Sequence, residues 1–249
     1  DLKKRNINSK KFLFPKKCPC GFETIKEFNE VTKKFDAVRR CPDRGFECEK
    51  IAIEKIKHFV SKEALNIDGF GKKIVESFWE LNLIKFPQDI FNLDFEKIEG
   101  LDGWGKQSVR NLKYSIEQRK TISFDKFIYS LGIRHIGIEN AKLLAKNLKS
   151  LNNFLALSKN KNFNDLLNID GIGETQINSI KSFLSNKTNI KILIELEKFL
   201  KIQEIKVIKN GPLSNKTFML TGKLYGMSRA EAKSLIEQNS GSIVSTVSK

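Results

Sequence analysis

The chain has 249 residues, 40% of them hydrophobic, enough to bury one large core or several small ones. Its 45 Lys and Arg against 29 Asp and Glu leave a formal charge of +16, which favours a polyanionic partner, nucleic acid first and an anionic membrane surface second. No apolar run approaches the roughly 20 residues that a membrane span needs, and the N-terminus lacks the charged-then-apolar order of a signal peptide; a cytoplasmic protein without a membrane partner is expected.

Residues 1–17, "DLKKRNINSKKFLFPKK", hold seven basic side chains and one acid. They read as a basic linker, and a solvated tether and a nucleic-acid-touching arm fit the composition equally well. Asp1 opens the chain without a Met, so a fragment is expected.

All four cysteines lie in the next segment, 18–48: Cys18 and Cys20 in "KKCPCGFE", Cys41 and Cys48 in "RRCPDRGFECEK". Two close pairs in a basic, reducing-compartment protein read as a tetrahedral thiolate site for structural zinc, closing a module too poor in apolar residues to fold alone. Disulfides or free thiols are the other readings, and a reducing compartment weighs against the first. A zinc knuckle normally has two residues between the first pair, whereas only Pro19 stands here, so a distorted or weakened site is expected. His58 follows the apolar-periodic stretch "CEKIAIEKIKHFV" and reads as a packing or capping residue rather than a ligand.

Residues 49–206 repeat themselves. "NIDGFGKK" at 66–73 returns as "NIDGIGET" at 168–175, with further copies in "KIEGLDGWGKQSVRNL" and, more weakly, "SLGIRHIGIENAKLL". The second glycines are Gly71, Gly105, Gly137 and Gly173, spaced by 34, 32 and 36 residues, close to one period. The first glycines are Gly69, Gly103 and Gly171; His135 stands in the third copy, whose turn is therefore expected to differ. Apolar residues precede the turn (Ile67, Leu101, Ile169) and sit between the glycines (Phe70, Trp104, Ile172). Others recur four residues after it (Val75, Val109, Ala141, Ile177) and seven after it (Phe78, Leu112, Leu144, Ile180), one face of a helix. Each unit thus reads as a tight turn opening into a helix N-terminus, whose unpaired amides and positive dipole end suit a phosphate oxygen. A tight turn with no ligand would explain one copy better than four.

This pattern resembles the helix-hairpin-helix motif. The resemblance implies sequence-independent, salt-sensitive contact with the DNA backbone, largely from the minor-groove side. Lys72 and Lys106 add charge in the first two copies, Arg134 is the substitute source in the third, and Glu174 weakens the fourth, so the first two hairpins are expected to bind most strongly.

After "NIKILIELEKFLKIQEI", the turn residues "KNGP" mark a linker at 207–213. Residues 214–249 read as a strand (217–221), a helix opened by Ser228 and Glu231, a stop at Gly241 and a second short strand. This resembles the first half of a BRCT domain, in which the pair Thr221 and Gly222 takes part in phosphate binding in some members. An incomplete domain is expected to be marginally stable.

A zinc module, four hairpins and a BRCT start, in that order, resemble the C-terminal half of bacterial NAD-dependent DNA ligases, as do the wordings "HFVSKEALNIDGFGKKIV" and "FIYSLGIRHIG". The expected fold is mainly α: a small four-cysteine zinc module, a tandem helix-hairpin-helix domain, then the incomplete α/β start of a BRCT domain. The resemblance implies a parent enzyme that seals nicks in double-stranded DNA during replication and repair, using NAD and Mg²⁺, and acting as a monomer. The family's adenylylated lysine lies in Lys-x-Asp-Gly, which is absent here. "KIEG" at 97–100 has Glu99 for Asp and belongs to the hairpin pattern, so catalysis is expected upstream of Asp1 and this piece alone is expected to be inactive. A non-catalytic repair scaffold with the same modules is the alternative; a nuclease would need a carboxylate cluster, and the acids are scattered.

Overall fold

The computed structural model describes residues 10, 12–29, 32–42, 45–204, 211–222, 224, 226–227, 232, 235–236 and 239–244. Most of the basic segment 1–17, and Ser228 and Glu231 of the expected capping box, lie outside them.

The cysteine segment forms a two-stranded antiparallel ribbon, β1 (Phe28–Asn29) and β2 (Lys34–Phe35), pairing Phe28 with Phe35 and Asn29 with Lys34. Isolated bridges join Lys17 to Glu23 and Ile25 to Arg40. Among the described residues ahead of Cys48, no apolar side chain is buried, and Phe28 and Phe35 remain exposed. So small a ribbon has no hydrophobic core of its own and needs another staple.

Among the described residues nine α-helices follow: α1 (Glu49–Val60), α2 (Lys72–Glu80), α3 (Phe95–Glu99), α4 (Lys106–Gln118), α5 (Phe124–Ser130), α6 (Ile138–Leu148), α7 (Leu151–Asn160), α8 (Glu174–Ser185) and α9 (Lys187–Phe199). Every residue expected four and seven positions after a second glycine is buried: Val75, Val109, Ala141 and Ile177, then Phe78, Leu112, Leu144 and Ile180. They join one continuous core running from Ala52 to Leu200. Aromatic contacts stitch the first two hairpins together, with Phe78 at 5.6 Å from Phe70 and 5.3 Å from Trp104. Helix α9 returns to pack on a short 3-10 turn, Pro87–Asn92, where Phe199 stacks on Phe91.

Two short strands close this unit. β3 (Thr121–Ser123) pairs in parallel with β4 (Lys201–Gln203), setting Ile122 beside Ile202. Within the apolar-periodic stretch "NIKILIELEKFLKIQEI" the chain therefore changes from helix to strand, α9 ending at Phe199.

In the C-terminal segment β5 (Thr217–Phe218) pairs in parallel with β6 (Ser242–Ile243), with helical residues at Ala232, Leu235 and Ile236 between them. The first strand is shorter than the expected 217–221. Gly241 packs so closely on Ile236 that a Cβ there would lie 2.7 Å from its side chain, which accounts for the glycine at the helix stop. Gly211 and Leu213, inside the expected linker, already hydrogen-bond Ser240 and Asn239.

Candidate nucleic-acid interface and cysteine cluster

The four turns share one backbone plan. Gly69, Gly103 and Gly171 have φ of +77°, +79° and +88°, and His135 adopts +62° at the same point. The third turn therefore does not differ, as its sequence suggests it should. Histidine tolerates the left-handed region better than most side chains, and Asn140 pins this one by donating from Nδ2 to the His135 carbonyl at 3.0 Å.

Each second glycine is the N-cap of the helix that follows: Gly71 for α2, Gly105 for α4, Gly137 for α6 and Gly173 for α8. Gly71, Gly105 and Gly137 have ordinary extended backbones, with φ of −72°, −91° and −83°. A Cβ on any of the three would meet nothing within 4 Å. Neither the fold nor the backbone angle calls for glycine there, and Ser, Thr or Asp would cap the helix as well or better. What glycine adds is bare backbone facing solvent, open to close approach by an outside group. No side chain caps α2, α4 or α6, so their first-turn amides, at the positive end of the dipole, are offered to an anion.

The fourth turn is more closed. A Cβ on Gly171 would lie 2.9 Å from Leu143 of α6, and Gln176 Oε1 accepts the Gly173 amide at 3.2 Å. Glu174 opens α8. Lys72 and Lys106, by contrast, open α2 and α4 and are exposed, with no acid in either first turn.

Arg134 lies elsewhere than its sequence position suggests. Its guanidinium pairs with Glu27 and, at 3.9 Å, with Asp36, so its charge ties the third turn to the cysteine ribbon. His58 is a packing residue: its Nε2 lies 2.8 Å from the Tyr129 carbonyl, its ring is edge-on to Tyr129, and Gly132 makes room for it. Sequence reasoning missed Lys57, whose Nζ bridges Glu54 at 2.6 Å and Glu76 at 2.7 Å and so fastens α1 to α2. Lys57 raises its own pKa through these bonds and lowers that of Glu76. Only the Glu54 spacing on one helix could have signalled it. In "KIEG", Ile98 is buried, Gly100 ends α3, and Lys97 pairs outward with Asp94 at 3.4 Å. The stretch is a hairpin's leading helix.

In the ribbon, Cys18 to Gly21 forms a tight turn. The Gly21 amide donates to the Cys18 carbonyl at 2.9 Å, and the Cys20 amide donates to Cys18 Sγ at 3.3 Å. The sulfurs of Cys18, Cys41 and Cys48 lie within 4.8 Å of one another, and Cys20 Sγ lies 3.2 Å from Cys48 Sγ. Four thiolates around a tetrahedral zinc would sit about 3.8 Å apart; Cys18 and Cys48 are at 3.9 Å. Cys18, Cys41 and Cys48 form a three-thiol cluster whose donors and spacing are compatible with such an ion; Cys20 approaches Cys48 but lies outside the mutual 4.8 Å group. Burial pushes the Cys48 thiol up to about 12, against its hydrogen bond with Ile51. At Cys18 burial also raises the pKa, but bonds from the Cys20 amide and from Cys41 and Cys48 outweigh it and the net shift is downward. Among the described residues no second group of His, Cys, Asp and Glu is gathered in this way. Thr221 and Gly222 follow β5, Gly222 with φ of +71°.

Four repeated turns on a shared core, three of them with helix N-termini left open, define a tandem helix-hairpin-helix fold with a cysteine module attached. A family model described as a helix-hairpin-helix motif matches residues 126–193, from α5 to α9. Over its whole length the chain is similar to DNA ligases. It is 68% identical over 251 residues to the DNA ligase of Pelagibacter ubique, covering all of this chain and 37% of that protein. It is 38% identical over 260 residues to that of Parvibaculum lavamentivorans and 38% over 261 to that of Rickettsia bellii. The chain thus spans little more than a third of these curated relatives, 36% and 37% of the last two.

Proposed function

We propose that this chain is the DNA-holding C-terminal part of an NAD-dependent DNA ligase, a cytoplasmic, monomeric enzyme that seals nicks in duplex DNA. Its hairpins grip the phosphate backbone without reading sequence, while adenylyl transfer, with NAD and Mg²⁺, is carried by the rest of the polypeptide. The observation that carries this reading is the set of uncapped N-terminal glycines, Gly71, Gly105 and Gly137, whose side of the fold is empty. A phosphate oxygen approaching there meets two or three free amides and, at the first two turns, a lysine. Zinc held by Cys18, Cys20, Cys41 and Cys48 supplies the closure that the coreless ribbon lacks. Arg134 then fixes the ribbon against the third turn. The parallel β5–β6 pair is read as the opening of a BRCT domain, with Thr221 and Gly222 at its phosphate-binding end.

The test is the double variant Gly71→Val, Gly105→Val. A Cβ at either position meets nothing within 4 Å, so the fold is expected to be kept at a cost of about 1 kcal/mol per cap. Binding to a nicked duplex is expected to collapse, while the parent binds independently of sequence and weakens steeply with salt. Parent-like binding by a folded variant would reduce the hairpins to turns and favour a scaffold held on DNA by its basic arm.

A further inference from the structure

The helices behind the four turns are equivalent in position, which allows their surfaces to be compared residue by residue. Positions one and five after each second glycine lie on the same helix face, one turn apart. They are Lys72 and Glu76 on α2, Lys106 and Arg110 on α4, Ile138 and Lys142 on α6, and Glu174 and Asn178 on α8. Only α4 carries a cation at both. Glu76 holds Lys57, and Lys142 pairs with Glu139 at 3.5 Å, whereas Lys106 and Arg110 make no ion pair with any described residue.

The rest of that face continues the pattern. Tyr114, one further turn along, is 66% exposed. Beside the stripe, Gln107 donates to Asn111 at 2.8 Å. From Lys106 to Ile116 the helix has no acid, and Glu117, in its last turn, is taken by Lys120 at 2.6 Å. Cations crowded at the positive end of a helix dipole are unfavourable in the free protein and become favourable when an anion sits among them. Helical side chains lean toward the N-terminus, which for Arg110 is the direction of the Gly105 turn.

The geometry points to a track along α4 that takes two successive phosphates of one DNA strand: the first on the Gly105 turn and Lys106, the second on Arg110 and the Tyr114 hydroxyl. This rests on the hairpin reading above and makes the second hairpin the principal clamp. Arg110 supplies a planar fork suited to bidentate phosphate contact.

The experiment uses the whole chain and a nicked duplex, with affinity measured across a salt series for Arg110→Gln, Tyr114→Phe and, as a charge-matched control, Lys191→Gln on the exposed side of α9. The track predicts that Arg110→Gln flattens the salt slope by about one unit and weakens low-salt binding about tenfold. Tyr114→Phe is expected to weaken binding about threefold with the slope unchanged, since no charge is lost. Lys191→Gln should stay within about twofold of the parent. Indistinguishable behaviour of Arg110→Gln and Lys191→Gln overturns the track. If the Gly71→Val, Gly105→Val variant still collapses in that case, the hairpin reading survives alone; if it binds like the parent, both fall.

Discussion

His135 holds a left-handed backbone where the sister turns place glycine, and an L side chain there costs on the order of 1 kcal/mol. His135→Gly is therefore expected to stabilise the protein by about 0.5–1 kcal/mol, read as a rise in melting temperature. The imidazole also has an acid liability. Desolvation first, then the Arg134 guanidinium, hold its pKa below the ordinary 6.5, against the opposing pull of Glu27. The unfolded chain takes up its proton near that ordinary value, the folded one only at lower pH. Stability from this residue is thus complete above the unfolded pKa and falls as pH drops through the window between the two, levelling out below the folded value. Urea unfolding at pH 7.5 and pH 5.5 should show a smaller acid loss in His135→Asn than in the parent. Equal losses in the two proteins would assign the acid sensitivity to other groups. The histidine's turn was misread from sequence because only glycine announces a positive φ by name.

At the scale of elements, Phe78 joins two hairpins: it is fully buried on α2, with Phe70 of its own turn and Trp104 of the next against its ring. Phe78→Ala should cost about 3–5 kcal/mol in chemical denaturation and loosen both N-termini together; a loss under about 1 kcal/mol would mean that the two turns are independent. Such core positions were legible because a 3.6-residue period, repeated four times, leaves a regular apolar stripe. The β3–β4 pair was not, because Thr121–Ser123 and Lys201–Gln203 are too short for a strand period and lie 80 residues apart in sequence. The ion pairs of Arg134 were hidden for the same reason: Glu27 and Asp36 lie far away in sequence. The cysteines were legible as a cluster from proximity alone, but their mutual distances depend on how the ribbon folds back.

Across the whole molecule, a helical unit with a large shared core carries a ribbon whose described residues bury no apolar side chain ahead of Cys48. Chelation of the zinc proposed for it is expected to make residues 12–42 protease-sensitive while far-UV circular dichroism, dominated by α1–α9, changes little. Cleavage at equal rates with and without chelator would show that the ribbon is held by packing and by Arg134 rather than by thiolate ligation. The central claim, that the open turns of the helical unit receive phosphates, is tested most directly by amide NMR during titration with a nicked duplex. The account predicts that the largest shifts fall on the first-turn amides of α2 and α4, at Lys72, Lys73, Lys106 and Gln107, with smaller ones at Glu174 and Thr175 of α8. Shifts absent from all of these and confined to the N-terminal basic residues would contradict it.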